Sequence, residues 1–115
     1  MDTFLRRLAA IEAVTGVLFA GKDGLVVAST LEGEDEELLG AMVAACFDSS
    51  LRYIEQLGMG SVAYALFETP GGIVQVADGG DVLIAVQSTV QAGIGRIRME
   101  LMQVARRLSH EIGAR

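Results

Sequence analysis

The chain has 115 residues, the usual length of one domain, so residues 1–115 are predicted to fold as a single domain. Its formal net charge is −6 and it has no tryptophan, which argues against nucleic-acid binding, a function that needs a basic stripe and stacking aromatics. Hydrophobic residues make up 51% of the chain, but polar side chains interrupt its longest uncharged run, residues 82–95, so no membrane insertion is expected.

The first predicted element is a helix from Asp2 or Thr3 to about Val14, with apolar residues at helical spacing. Its early acid and internal charges do not match a secretory signal peptide. The chain has one cysteine, Cys46, which excludes an internal disulfide. We therefore expect a cytoplasmic protein.

Two short valine-rich runs follow, at residues 17–20 and 25–29. They are joined by Asp23-Gly24, a dipeptide typical of hairpin turns because glycine accepts the positive φ that such turns require. These residues predict a β-hairpin.

Residues 34–57 contain no proline and are predicted to form one helix of about six turns that ends before Gly58. On a helical wheel, one broad apolar stripe of this helix could cover a sheet. This stripe is predicted to be core and consists of Leu39, Met42, Val43, Cys46, Phe47, Ser50, Tyr53, Ile54 and Leu57.

The opposite side of the same helix carries small residues and flanking leucines, namely Leu38, Gly40, Ala41, Ala44, Ala45 and Leu51. Small side chains allow a second helix to approach closely, which favours a partner chain on this side. The alternative interpretation is that alanine occurs here simply as the best helix former.

Three strands are predicted next, at residues 61–68, 73–77 and 82–87, separated by glycine-rich turns. A final helix begins within residues 91–95 and extends to about Ile112. This order of elements indicates an antiparallel sheet with helices on its faces, which is an α+β fold.

Three segments carry a resemblance to a known family: GVLFAGKDGLVVAST, VQVADGGDVLIAVQ and GIGRIRMELMQVARRL. The first matches part of a G-x-L-x-x-D-x-x-G-L pattern through Gly16, Leu18, Asp23 and Leu25. In the third, Gly95 and Arg98 fit an N-x-G-x-x-R motif in which Gly93 replaces the asparagine. Together with the long helix, these segments resemble the Roadblock/LC7 family, including its bacterial members of the MglB type.

The resemblance implies a profilin-like fold, with the long helix on one face of a five-stranded antiparallel sheet and the two terminal helices on the other. It implies a homodimer that pairs through the long helix and the following strand, and a role as a scaffold or regulator of small Ras-like GTPases. The strand at 61–67 lacks the charges and prolines that protect exposed sheet edges. The predicted dimer interface consists of Leu38, Gly40, Ala41, Ala44, Ala45, Asp48, Leu51, Arg52, Val62, Tyr64 and Leu66.

Residues suited to catalysis or cofactor binding are few. His110 has no acid or nucleophile at an evident triad spacing, and one cysteine with one histidine cannot form a four-ligand zinc site. The run Gly93-Ile94-Gly95 lacks the third glycine of a dinucleotide-binding fingerprint. We therefore expect a regulatory protein that is not an enzyme and has no cofactor or metal.

The candidates for docking a GTPase are charged residues of the long helix and the last helix: Glu34, Glu36, Glu37, Asp48, Arg52, Arg96 and Arg98. A competing hypothesis is a profilin-like small-ligand sensor, or a signalling scaffold that binds no GTPase. The strands offer a sensor few polar groups beyond Ser61, Tyr64 and Gln75. The methionines are predicted to fill the core, namely Met42, Met59, Met99 and Met102.

Overall fold

The computed structural model describes residues 1–32 and 35–113, with side chains described as far as His110. Its elements follow in the order α1 (Asp2–Ala9), β1 (Val14–Gly21), β2 (Val26–Ser29), α2 (Glu36–Gln56), β3 (Tyr64–Thr69), β4 (Gly72–Asp78), β5 (Val82–Ser88) and α3 (Ile94–Gly113). The predicted succession of helices and strands is confirmed.

The first helix is shorter than predicted, because it ends at Ala9 and not near Val14. The chain reverses before β1, with Ala13 at a φ of 74°. Val14 already belongs to β1, where it pairs with Ser88 of β5. The pairing of β1 with β5 therefore includes Val14, which the apolar spacing had placed at the end of the first helix.

The five strands form one antiparallel sheet in the order β2-β1-β5-β4-β3. The first hairpin (β1 and β2) and the β3–β5 meander join where β1 pairs with β5, with Val17 opposite Val86 and Phe19 opposite Ile84. Helices α1 and α3 cover one face of the sheet and α2 packs on the other. This arrangement is the predicted α+β fold.

Short-range turn chemistry sets two of the strand connections. Gly24 adopts a φ of 92°, and the Leu25 N–H donates to Oδ1 of Asp23 at 3.0 Å. Between β4 and β5, Gly80 adopts a φ of 91° and donates its N–H to Oδ1 of Asp78 at 2.9 Å. In both turns an aspartate side chain stabilises a reversal that glycine permits.

The α1/α3 face contains the larger core cluster. Residues of α3 at helical spacing, Ile97, Leu101, Val104 and Leu108, are buried. They belong to one cluster with Leu8 of α1 and the sheet residues Val17, Phe19, Ile84 and Val86. Both terminal helices are thus fixed to this face mainly by burial of apolar surface.

Helix α2 meets the sheet with a different side from the one predicted. Its buried residues are Gly40, Ala44 and Phe47. Four members of the predicted core stripe are exposed, namely Met42, Cys46, Tyr53 and Leu57. On the helical wheel, the centre of these three buried residues lies roughly one 100° step away from the centre of the predicted stripe. The prediction of that stripe as core was therefore wrong in part.

The prediction that the methionines fill the core was also wrong for three of them. Met42, Met59 and Met99 are exposed, and only Met102 of the four packs partly against the core. Flexible methionine side chains at a surface are typical of adaptable binding sites as well as of cores.

The rotation of α2 has a steric cause at Gly40. A Cβ atom at this position would lie 2.8 Å from the carbonyl oxygen of Gly24 and 2.8 Å from Cγ2 of Val26. Only glycine lets the helix backbone come this close to the β1–β2 hairpin. Small residues of α2 therefore serve the contact with the chain's own sheet.

We predict that Gly40→Ala destabilises the protein by about 1–3 kcal/mol, the usual cost of overpacking, although alanine is the better helix former. The clash with a backbone oxygen cannot be relieved by a change of rotamer. Urea unfolding monitored by circular dichroism measures the difference.

Gly95→Ala in α3 is the matched control. Among the described residues, no heavy atom lies within 4 Å of a Cβ added there, so this variant should gain about 0.5–1 kcal/mol. If both variants gained stability, the close approach at Gly40 would be contradicted.

Candidate functional site

A groove lies beside α2 on its face of the sheet. The helix packs mainly on β1, β2 and β5, so it leaves the β3–β4 side of this face less covered. We call the resulting space the apolar groove; it has a volume of about 230 Å³. It is lined by Leu39, Met42, Val43, Cys46, Phe47 and Ser50 of α2 and by Ala65, Phe67, Val74, Val76, Ala85 and Gln87 of the sheet.

Apolar surface continues from the groove toward the end of α2. A second recess, of about 610 Å³, shares Ser50 and Ala65 with the groove and includes Tyr53 and Met59. The large hydrophobic side chains exposed on this surface are Met42, Tyr53, Met59 and Phe67, and Tyr53 keeps 66% of its surface accessible. Contiguous exposed side chains of this size are typical of interaction sites.

The strand beside this surface is at the edge of the sheet. Among the described strands, β3 pairs only with β4, so its outer backbone groups face away from the sheet. Its last residues, Phe67, Glu68 and Thr69, are exposed. An unpaired edge next to apolar surface is a suitable template for a further strand.

Tyr64 connects β3 to the opposite layer of the molecule. Its hydroxyl donates to Oε1 of Gln75 at 2.7 Å, and Gln75 is fully buried. The guanidinium carbon of Arg98, on α3, lies 4.7 Å from the centroid of the Tyr64 ring. Burial raises the pKa of the Tyr64 phenol above its ordinary value of 10.0, and the charge of Arg98 opposes this shift. The phenol is therefore neutral at pH 7 and able to donate.

The part of the chain that the structure describes contains neither a metal-binding cluster nor a membrane-spanning helix. Within residues 1–32 and 35–110, no three His, Cys, Asp or Glu side chains are grouped so that they could hold a metal ion. None of the helices in these ranges combines the length and apolar character required to cross a bilayer.

Comparison with known proteins identifies the family. A family model described as the Roadblock/LC7 domain matches residues 1–88. The chain belongs to the Roadblock/LC7 domain family. It is 33% identical over 109 residues to uncharacterized protein MJ1340 of Methanocaldococcus jannaschii, an alignment that spans 94% of this chain and 96% of that protein.

Solved structures show the same fold at low sequence identity. The Roadblock/LC7 domain from Streptomyces avermitilis has a TM-score of 0.88 and 16% identity, covering 97% of each chain. Myxococcus xanthus MglB has a TM-score of 0.91 and 14% identity, covering 99% of this chain and 95% of its own. These likenesses concern the fold, which is therefore the one predicted from the sequence.

Two residues of the predicted dimer interface already pack within the protomer. Gly40 and Ala44 of this Roadblock/LC7 domain are buried against its own sheet, because α2 requires small residues there to approach the first hairpin. Leu38, Ala41 and Ala45 are exposed. The remaining candidates are Asp48 and Arg52, which are exposed, and Leu51, Val62, Tyr64 and Leu66, which are half-buried.

The exposed apolar residues of the groove and its rim are absent from that predicted interface. Met42 and Tyr53 were predicted to be core residues, and Phe67 was named only as the end of the pairing strand at 61–67. The sequence did contain a signal for these exposed residues. The apolar stripe of α2 is wider than the part of the helix that the sheet can cover, so some of its apolar side chains must stay outside the core.

The charged candidates for docking lie in two separate places. Glu36 and Glu37 occupy the first turn of α2, whose Leu38 N–H donates to Oδ1 of Asp35, and Glu34 lies outside the described residues. Asp48 and Arg52 form an exposed ion pair of 2.9 Å one turn apart on the same helix. Arg96 and Arg98 are on α3. Arg98 lines the same recess as Ser50 and Tyr53 of α2, whereas Arg96 lines a different one.

We predict that Tyr64→Phe lowers stability by about 1–3 kcal/mol, because it removes a donor from a fully buried amide oxygen. Tyr53→Phe, at an exposed tyrosine, should change stability by less than about 0.5 kcal/mol. Equal effects of the two substitutions in urea unfolding would contradict the buried role of the Tyr64 hydroxyl.

The raised pKa of Tyr64 also predicts a pH dependence. Folding favours the protonated phenol, so this contribution is fully present below pH 10 and is lost as the pH rises above 10. Between pH 9 and 11, stability of the Tyr64→Phe protein should therefore fall less steeply than that of the unmodified protein.

Proposed function

We propose that this protein is a homodimeric adaptor that binds a small Ras-like GTPase and modulates its nucleotide cycle or its localisation. The observation that carries the dimer is the apolar groove beside the unpaired edge of β3. One partner can cover both at once. The GTPase role rests on family membership and on the function that the family resemblance implies.

A second copy of the chain fits these surfaces by symmetry. Antiparallel pairing of two β3 strands about a two-fold axis extends the sheet and puts both α2 helices on the same side of it. Each protomer then presents its exposed apolar residues toward its partner, next to the same residues of the other protomer. Covering this surface removes apolar area from water, which favours association.

The proposed interface differs from the one that the helical wheel indicated. It retains Leu38, Ala41 and Ala45, which are exposed, and adds Met42, Tyr53 and Phe67. Gly40 and Ala44 are left out because they pack within the protomer.

The adaptor acts on the GTPase without providing a catalytic side chain of its own. GTP hydrolysis depends largely on positioning and on stabilising charge at the transferring phosphoryl group. A bound protein accelerates or slows it by ordering the switch segments of the GTPase. The residues favoured for docking are Glu36 and Glu37 with the Asp48–Arg52 pair, since they are charged, lie on α2 and are not in the core.

We predict that Met42→Glu weakens the dimer at least about tenfold, equivalent to about 1.4 kcal/mol, because it puts a charge into the apolar contact. Met99→Glu is the matched control, since both methionines are 57% exposed and Met99 lies on α3 at the other face. Sedimentation equilibrium measures both dissociation constants.

Two results would contradict the proposed dimer. One is an unmodified protein that sediments as a monomer at about 10 µM or above. The other is an equal loss of association in the two methionine variants. Circular dichroism of both variants establishes that each is folded.

The GTPase partner is tested by capture from the source cells with the purified protein, in the presence of GDP or of a non-hydrolysable GTP analogue. Hydrolysis and nucleotide-release assays on the recovered GTPase then define the effect. We predict that reversing the charge of Glu36 and Glu37 to lysine lowers the association rate and its salt dependence, because exposed charges mainly steer encounter.

The control for this pair is the double substitution of Glu12 and Asp81 to lysine, which changes the net charge equally at exposed positions outside α2. If both double variants slowed association equally, Glu36 and Glu37 would not be the docking residues. If no GTPase were enriched in either nucleotide state, the GTPase role would be abandoned.

A small-ligand sensor is the second candidate, and the apolar groove favours it. The groove is lined almost entirely by apolar side chains and could accept a small apolar molecule in place of a partner protomer. The two candidate functions predict different effects of Met42→Glu on the oligomeric state. An adaptor loses self-association, whereas a monomeric sensor keeps its oligomeric state and loses ligand affinity.

A further inference from the structure

Positive charge is concentrated on α1 and α3 although the whole chain is acidic. The two helices contain six of the nine Lys and Arg residues, against only three acids, which gives them a net charge of +3 within a chain of net charge −6. The face of the sheet that carries α1 and α3 is therefore electrostatically opposite to the rest of the molecule.

Part of this charge converges on a recess between α1 and α3, which we call the arginine recess. It has a volume of about 540 Å³ and is lined by Arg7, Gln103, Arg106, Arg107 and His110. Three of these five side chains carry a guanidinium group. No acidic side chain is among the lining residues in the described part of the chain, but Glu100 beside the recess is ion-paired with Arg7 at 2.8 Å.

Two side chains of α3 hold Arg7 in place. Its Nε donates to Oε2 of Glu100 at 2.8 Å and its Nη2 donates to Oε1 of Gln103 at 2.7 Å. The Nη1 donors take no part in these two contacts. A guanidinium that is already ordered loses less conformational entropy when it binds a ligand.

The other two arginines of the recess differ in the contacts that their guanidinium groups make. The Arg107 guanidinium lies over the ring of Phe4, 5.5 Å from its centroid, and the side chain is exposed. Arg106 is also exposed, and among the described residues it forms no ion pair. The recess thus combines one guanidinium ordered by α3, one in contact with an aromatic ring and one that can move to meet a ligand.

We propose that the arginine recess binds a phosphate group of the monoester type, carried either by a soluble phosphorylated molecule or by a lipid headgroup. Planar guanidinium donors match phosphate oxygens in a bidentate manner, and charge-assisted hydrogen bonds are stronger than neutral ones. This site lies across the sheet from the apolar groove and is independent of the proposed GTPase adaptor function.

Inorganic phosphate is the first probe. In amide-resolved NMR titrations of the full chain, phosphate should shift the signals of Arg106 and His110 in a saturable way. Sodium chloride at matched ionic strength should not. Equal shifts with chloride would overturn the proposal.

Arg106→Gln should weaken phosphate binding by about fivefold, the upper range for one exposed ion pair. Arg52→Gln is the control, because it removes the same charge from an exposed position on α2. Equal losses in the two variants would show that only the net charge matters, and would overturn the site.

Vesicle flotation distinguishes the two sources of the phosphate. The probes are phosphatidylcholine vesicles containing phosphatidic acid, a monoester, or phosphatidylserine, a diester. Flotation with phosphatidic acid alone, reversed by inorganic phosphate, assigns the site to a lipid headgroup. Saturable phosphate binding without flotation assigns it to a soluble phosphorylated molecule.

Discussion

The close approach of α2 to the β1–β2 hairpin determines most of the molecule's surface. Gly40 of the helix and Gly24 of the hairpin both lack the Cβ that would keep the two backbones apart, and each would clash with the other segment if it had one. This contact fixes α2 over β1, β2 and β5. The β3–β4 side of the same face then stays open, so one steric constraint within the chain produces the apolar groove.

The two faces of the sheet are consequently unequal. On the α1/α3 face, two helices cover the sheet and the core cluster is large. On the α2 face, one helix covers part of the sheet and the core cluster is small. The half-open face has exposed apolar side chains and a free strand edge, whereas the closed face has arginines at its outer surface. Apolar association and charge recognition are thus separated onto opposite sides of one sheet.

The sequence predicted the order of elements and the hairpin turns because those features depend on local chemistry, as Asp23-Gly24 and Asp78-Gly79-Gly80 show. It did not predict the rotation of α2. A helical wheel separates apolar from polar positions, but it cannot tell that Gly40 and Ala44 are needed against the sheet while the larger Met42 and Tyr53 stay outside. That choice depends on the distance between two backbones far apart in the chain. The early end of α1 was missed for a similar reason, since pairing between β1 and β5 decides it.

The two tyrosines occupy contrasting environments. Tyr53 is in the exposed apolar surface beside the groove, whereas Tyr64 is hydrogen-bonded to a buried glutamine and stacked under an arginine. Because the chain has no tryptophan, these two phenols supply its near-ultraviolet absorbance and fluorescence above the level of phenylalanine. The molecule therefore contains two intrinsic optical reporters. Removing either one by a phenylalanine substitution isolates the spectrum of the other, so that changes at the groove and changes at the Tyr64–Arg98 contact can be followed separately without any attached dye.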